Sequence, residues 1–193
     1  MKKLICAVMA LFFAANVSAA SREELPVSLE TLLEIWNGFY DGEVQLDAYL
    51  VYDVDEDGVP EVFLRGYGKY MCVVIEDGEA RPAISVDPPA SGQMVLWDDS
   101  MISIVEEYPH GQAEIWSFYK ITASYEKLIG QNVTNRDVFS DDEEPEVTVG
   151  YTMLVDGEMV EVTEEDFEET FNPAIANILV DDLPGWVTLD DED

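Results

Sequence analysis

The sequence predicts an α+β fold: a single antiparallel β-sheet meander with one helix near the N-terminus and one near the C-terminus. Three observations predict it. Apolar residues recur at helical spacing in two places only, one towards each end of the chain. Between them, short apolar runs alternate with turn-forming pairs such as Asp77-Gly78 and Asp156-Gly157, the pattern of strands joined by hairpins. No internal repeat or linker divides the chain, so the strands and helices belong to one domain.

The first segment stands apart from that domain. MKKLICAVMALFFAANVSAAS opens with Lys2 and Lys3, continues through an apolar stretch from Leu4 to Ala15, and reaches the small-x-small pattern Val17-Ser18-Ala19. This is the form of a bacterial Sec-type signal peptide cleaved after Ala19, and it implies a periplasmic or secreted protein. The apolar stretch is short of the roughly 20 residues that span a bilayer. Residues 1–19 are therefore read as signal and 20–193 as one globular α+β domain, with no membrane span in the mature chain.

After an extended lead-in, SLETLLEIWNGFYDG places Leu29, Leu32, Leu33, Trp36, Phe39 and Tyr40 on one helical face. Ser28 is the expected N-cap, and the helix should stop near Gly38–Gly42. LDAYLVYDV and PEVFLRGYG read as strands, followed by KYMCVVIEDGEARPAI with its turn at Asp77-Gly78. SVDPPASGQ reads as a loop, then QMVLWDD, SMISIVEEYPHG and QAEIWSFYKIT as further strands. In AEIWSFYKI, Ile115, Tyr119 and Ile121 share one face while Trp116 and Phe118 share the other, so cover is expected on both sides. SYEKLIG suits one more strand, and the acidic TNRDVFSDDEEPE a surface loop.

EVTVGYTMLVDGEMVEV reads as a hairpin about Asp156-Gly157. TEEDFEETFNPAIANIL reads as a helix, with Thr163 and Asp166 forming an approximate capping box and Pro173 bending or splitting it. Its stripe is Phe167, Phe171, Ile175, Ile178 and Leu179. In the tail, Trp186 and Leu189 are the residues expected to dock.

The charge is the strongest global feature. The chain carries 42 acids against 9 Lys and Arg, a formal net charge of −33. Such a surface repels nucleic acid and anionic lipid and attracts cations and basic proteins. With 48% hydrophobic residues, including four Trp, eight Phe and nine Tyr, the chain nonetheless has the means to build a core. Cys72 lies in the apolar run MCVVI and reads as a buried structural thiol. Cys6 falls within the signal, so the mature chain has no cysteine pair for a disulfide.

One stretch carries chemistry. In YLVYDVDEDGVPEVFLRG, residues 49–66, Asp53, Asp55 and Asp57 alternate, Gly58 follows, and Glu61 completes the set. Calcium takes six to eight oxygens at roughly 2.3–2.6 Å. Side chains at positions 1, 3 and 5, a sharp turn at glycine 6, a carbonyl from Val59 at 7 and an acid at 9 would converge on such an ion. Position 12 is Leu64, so the bidentate glutamate of an EF-hand is absent. Asp and Gly at these places also suit an acidic tight turn without an ion, for backbone reasons alone. An all-oxygen set argues against zinc or copper.

The run resembles the DxDxDGxx[DE] calcium loop of integrin-α and FG-GAP/VCBS-type repeats, which lies between two β-strands. It is also similar to a form found in uncharacterised secreted bacterial proteins, which often end, as does 156-DGEMVEVTEEDF-167, with a DG hairpin and an acidic helix start. The resemblance covers about nine residues and implies calcium held by Asp53, Asp55, Asp57, Val59 and Glu61. The tandem repeats of a β-propeller are missing, so it implies a loop and not that fold.

Other motifs carry less. Asp98-Asp99 and the run Asp141 to Glu144 suit solvated loops as well as cation sites. His110, the single histidine, sits between Pro109 and Gly111 in a turn. One histidine and one buried cysteine make neither a zinc site nor a Cys–His pair. A carboxylate acid–base pair is defined by separation in space, which spacing in this sequence does not give. Trp97, Trp116 and Trp186 suit core packing or a carbohydrate or peptide surface. The expected function is a secreted, calcium-binding, non-enzymatic interaction module. A secreted hydrolase, or an acidic inhibitor of a basic protein, is the alternative.

Overall fold

The computed structural model describes residues 25–97, 100–122, 125–136, 147–171 and 177–189. The signal segment, Asp98-Asp99, the 141–144 acidic run, Pro173 and Ile175 lie outside the described residues. The elements run α1 (Leu29–Phe39), β1 (Ala48–Tyr52), β2 (Glu61–Gly66), β3 (Lys69–Glu76), β4 (Glu79–Ser85), β5 (Ser91–Trp97) and β6 (Met101–Glu107). After a 3-10 turn at Pro109–Gly111 come β7 (Ala113–Thr122), β8 (Tyr125–Arg136), β9 (Val147–Val155), β10 (Glu158–Glu161) and α2 (Glu164–Thr170). β11 (Asn177–Leu179), a 3-10 turn at Val180–Asp182 and β12 (Val187–Thr188) follow.

The strands form two antiparallel sheets where the sequence suggested one. One is five-stranded, in the order β12-β1-β2-β3-β4; the other is seven-stranded, β10-β9-β8-β7-β6-β5-β11. The physical reason is visible in the first sheet, whose strands β1, β2 and β3 are buried on both faces. Tyr49, Val51, Val62, Leu64, Met71, Val73 and Ile75 pack with Leu32, Trp36 and Tyr40 of the α1 segment. The alternating set, Leu50, Tyr52, Phe63, Cys72 and Val74, packs on Met94, Leu96, Ile102, Ile104 and Ile121 of the second sheet. Apolar runs such as YLVY and YMCVVI, which do not alternate with polar residues, need cover on both sides. The second sheet supplies it. The outer face of the second sheet carries Val95, Trp97 and Phe118, which pack with Phe167 and Phe171 of the α2 segment. The molecule is thus layered helix, sheet, sheet, helix.

Local chemistry explains the boundaries. Ser28 Oγ caps α1 by accepting from the Thr31 N–H at 3.1 Å. Thr163 Oγ1 accepts from the Asp166 N–H at 3.2 Å and donates to Asp166 Oδ2 at 2.7 Å. Asp77-Gly78 and Asp156-Gly157 close two-residue hairpins with positive φ at both positions, the backbone that Asp-Gly favours. The second helix is shorter than the sequence suggested. It ends at Thr170 with Phe171 as its C-cap, and Ile178 and Leu179 lie instead in β11, paired with β5. In the sequence, the Asn172-Pro173 pair just beyond is itself a helix-stopping signal. β8 is longer than SYEKLIG and takes in Thr134 to Arg136, assigned above to a loop. No helix among the described residues is long and apolar enough to cross a membrane.

The tail docks as expected. Trp186 Nε1 donates to the Val180 carbonyl at 3.1 Å, and the Arg65 guanidinium lies 4.5 Å from the Trp186 ring centroid. Leu189 packs on the α1 side of the first sheet.

Phe171 seats its ring over Gly130, where a Cβ would lie 2.3 Å from a ring carbon. The ring also stacks on Phe118, with centroids 4.5 Å apart. Gly130→Ala is therefore expected to displace Phe171 and to cost about 1–3 kcal/mol, read as a lower urea midpoint.

Candidate metal centre

The β1–β2 connection is built by backbone N–H groups that its own carboxylates capture. Asp53 Oδ2 accepts from the Gly58 N–H at 2.9 Å, Asp55 Oδ1 from Asp57 at 3.2 Å, and Asp57 Oδ1 from Val59 at 2.7 Å. Glu56 and Gly58 have positive φ, which turns the chain back on itself. The loop closes at the first residue of β2, where Glu61 Oε2 accepts from the Val54 N–H at 2.8 Å.

This winding gathers three of the five residues singled out in the sequence. Asp53, Asp55 and Glu61 each offer a carboxylate oxygen, and these oxygens lie within 4.8 Å of one another. Two oxygens bound to one calcium at roughly 2.3–2.6 Å are at most about 5 Å apart. Asp57 is not in this group; its Oδ1 is engaged by Val59. Val59, expected to offer its carbonyl, contributes its N–H to that contact.

Two features set the cluster apart from a fully solvated turn. Glu61 is only 1% exposed, yet it is a carboxylate. Its pKa is pushed up to about 7, first by burial; the Val54 N–H opposes the rise, and the charges of Asp55 and Asp53 add to it. Asp53 Oδ1 is buried and has no hydrogen-bond partner. A buried, unpartnered carboxylate oxygen is costly, and a cation would satisfy it. The donors are all oxygen, with no histidine or thiol among them, which fits a hard cation such as calcium. The spacing of acids was legible in the sequence. That Glu61, the last acid, would be the deeply buried one was not.

A second group was missed in the sequence. Glu106 is buried and accepts from the Asp87 N–H at 2.8 Å. Burial raises its pKa; the Asp87 N–H opposes this, the Asp87 carboxylate adds to it, and Lys69 opposes it. Glu106, Asp87 and Lys69 are far apart in sequence, and no motif links them. His110 lies in its turn with φ of 63°, beside a cleft of about 470 Å³ shared with Glu107, Glu114 and Arg136. Cys72 is fully buried, and burial raises its thiol well above the usual range, as expected of a structural cysteine.

No protein-family model matches the chain, and no curated protein matches it. Among solved structures, it is similar to one described as "Structure of a Xanthomonas Type IV Secretion System related protein". The two are 16% identical, with a TM-score of 0.42 over 60% of this chain and 58% of the other. The match spans less than two thirds of that protein's length, and at this distance it transfers neither fold nor role.

Proposed function

We propose that the protein is a secreted calcium-binding, non-enzymatic domain, in which the ion fixes the β1–β2 loop and so supports an interaction surface. The observation that carries this reading is the convergence of Asp53, Asp55 and Glu61, together with the buried, unpartnered Oδ1 of Asp53. The likeness of the loop to the DxDxDGxx[DE] calcium loops of FG-GAP/VCBS-type repeats supports it, as does the secretory form of residues 1–19. Asp53, Asp55 and Glu61 would hold the ion by their side chains, with Asp57 and the Val59 carbonyl completing the set if the loop tightens around it. The ion would supply charge neutralisation there. A raised carboxylate pKa also marks general acids, but Glu61 is too deeply buried for a substrate to reach it, which favours a structural over a catalytic role.

The test is thermal unfolding in EDTA, in millimolar calcium and in millimolar magnesium. With a Kd near 10 µM, about 1 mM calcium should add about 2.7 kcal/mol. For a domain of this size, that is a rise of about 5–10 °C in Tm. Asp53→Asn is expected to lose the rise. No calcium-specific shift would return the loop to an acidic turn.

A further inference from the structure

We infer that the outer face of the seven-stranded sheet holds a recognition pocket for a cationic side chain, lysine or arginine, of a basic protein. The pocket is separate from the calcium loop, which belongs to the other sheet, and the inference does not rest on that loop. Trp116, Asn132 and Tyr151 are direct cross-strand neighbours on β7, β8 and β9. With Trp97, Phe118, Phe167, Phe171 and Glu168 they line a cavity of about 190 Å³ under α2. Pockets that enclose whole small-molecule ligands are larger, about 300–1,000 Å³. This one suits the end of a side chain whose owner stays outside.

The aromatic walls are held in place before any ligand arrives. Trp97 Nε1 donates to Ser103 Oγ at 2.8 Å, Trp116 Nε1 to Glu114 Oε1 at 2.8 Å, and the Tyr151 hydroxyl to Glu164 Oε1 at 3.0 Å. Their indole and phenol donors are thereby spent on the protein, and the cavity is walled mainly by aromatic rings. Ring faces attract cations. Asn132 Oδ1 is buried and has no hydrogen-bond partner. A rotation of that carboxamide would present the acceptor to an incoming N–H. The helix above reads EEDFEET, and Glu164, Glu165, Glu168 and Glu169 line an adjoining cleft. Aromatic walls, an unused acceptor and a carboxylate rim each favour a cation with N–H donors. The net charge of −33 favours a basic protein as its carrier.

The experiment titrates the full protein with N-acetyl-arginine amide, N-acetyl-lysine amide and a short oligolysine, following the tryptophan indole N–H signals by NMR. Maltotriose serves as a neutral probe. The basic probes are expected to shift the Trp97 and Trp116 signals, and oligolysine to bind more tightly than the single amino acids. Glu168→Gln, on the exposed helix face, should weaken binding severalfold. Asn132→Leu should weaken it about tenfold while leaving Tm unchanged or higher, because it removes an unsatisfied buried oxygen. A merely structural asparagine would lower Tm on replacement and leave binding alone. Shifts caused by maltotriose and not by the basic probes, or basic-probe binding unaffected by both variants, would overturn the inference. So would no response to any probe.

Discussion

Replacing Trp36 with alanine is expected to cost about 3–5 kcal/mol, the largest single effect in the molecule. Trp36 is fully buried between α1 and the first sheet. Its ring lies 4.5 Å from that of Tyr40, and its Nε1 donates to the Val44 carbonyl at 2.6 Å. The strand beneath leaves no room either: a Cβ on Gly66 would meet the Gln45 carbonyl oxygen at 1.9 Å and the Trp36 ring at 3.0 Å. Truncation leaves a cavity that a sheet packed on its other face cannot easily collapse to fill. It also strands the Val44 carbonyl. Because whole domains are stable by only about 5–15 kcal/mol, the urea midpoint should fall steeply with little change in m. A loss below about 1 kcal/mol would mean that α1 does not cover this face.

Glu61→Gln is expected to stabilise the ion-free protein at high pH and to remove most of the stabilisation that calcium gives. In the ion-free protein Glu61 has a pKa of about 7, against 4.5 for an ordinary glutamate. The fold therefore holds the proton more tightly than the unfolded chain does. The associated stability is complete below pH 4.5 and is lost as pH rises through 7. The loss is on the order of 3 kcal/mol. Glutamine keeps an oxygen for the Val54 N–H and carries no charge. Without calcium, the variant should match the wild type near pH 4 and exceed it near pH 8. With calcium, it should gain little, because a ligand has gone. Glu106 is also shifted upward but is common to both proteins, so the difference between them isolates Glu61. A variant less stable than the wild type at pH 8 in EDTA would contradict this account of the site.

The elements were legible where a local rule decides them. Ser28, Thr163 and the two Asp-Gly turns specify their structures within a few residues, and all behave as read. What escaped depends on partners distant in sequence. The division into two sheets follows from which runs must be covered on both faces, and β11 and β12 are too short to declare themselves before they pair with β5 and β1. The turn at Tyr67-Gly68, also with positive φ at both residues, lacks the Asp or Asn that would mark it. In the candidate site, alternation identified Asp53, Asp55 and Glu61, but equal spacing gave Asp57 equal standing, and only the winding of the loop separates it. The aromatic pocket under α2 had no signature, since Trp116, Asn132 and Tyr151 meet only through strand register.

The central claim is that this loop takes calcium, and calorimetric titration of the ion-free protein with calcium tests it most directly. The account predicts saturable binding of one ion per chain, with weaker binding at pH 6 than at pH 8 as protonated Glu61 competes, and its loss in Asp53→Asn. An absence of saturable binding at millimolar calcium, or binding untouched by that substitution, would contradict it.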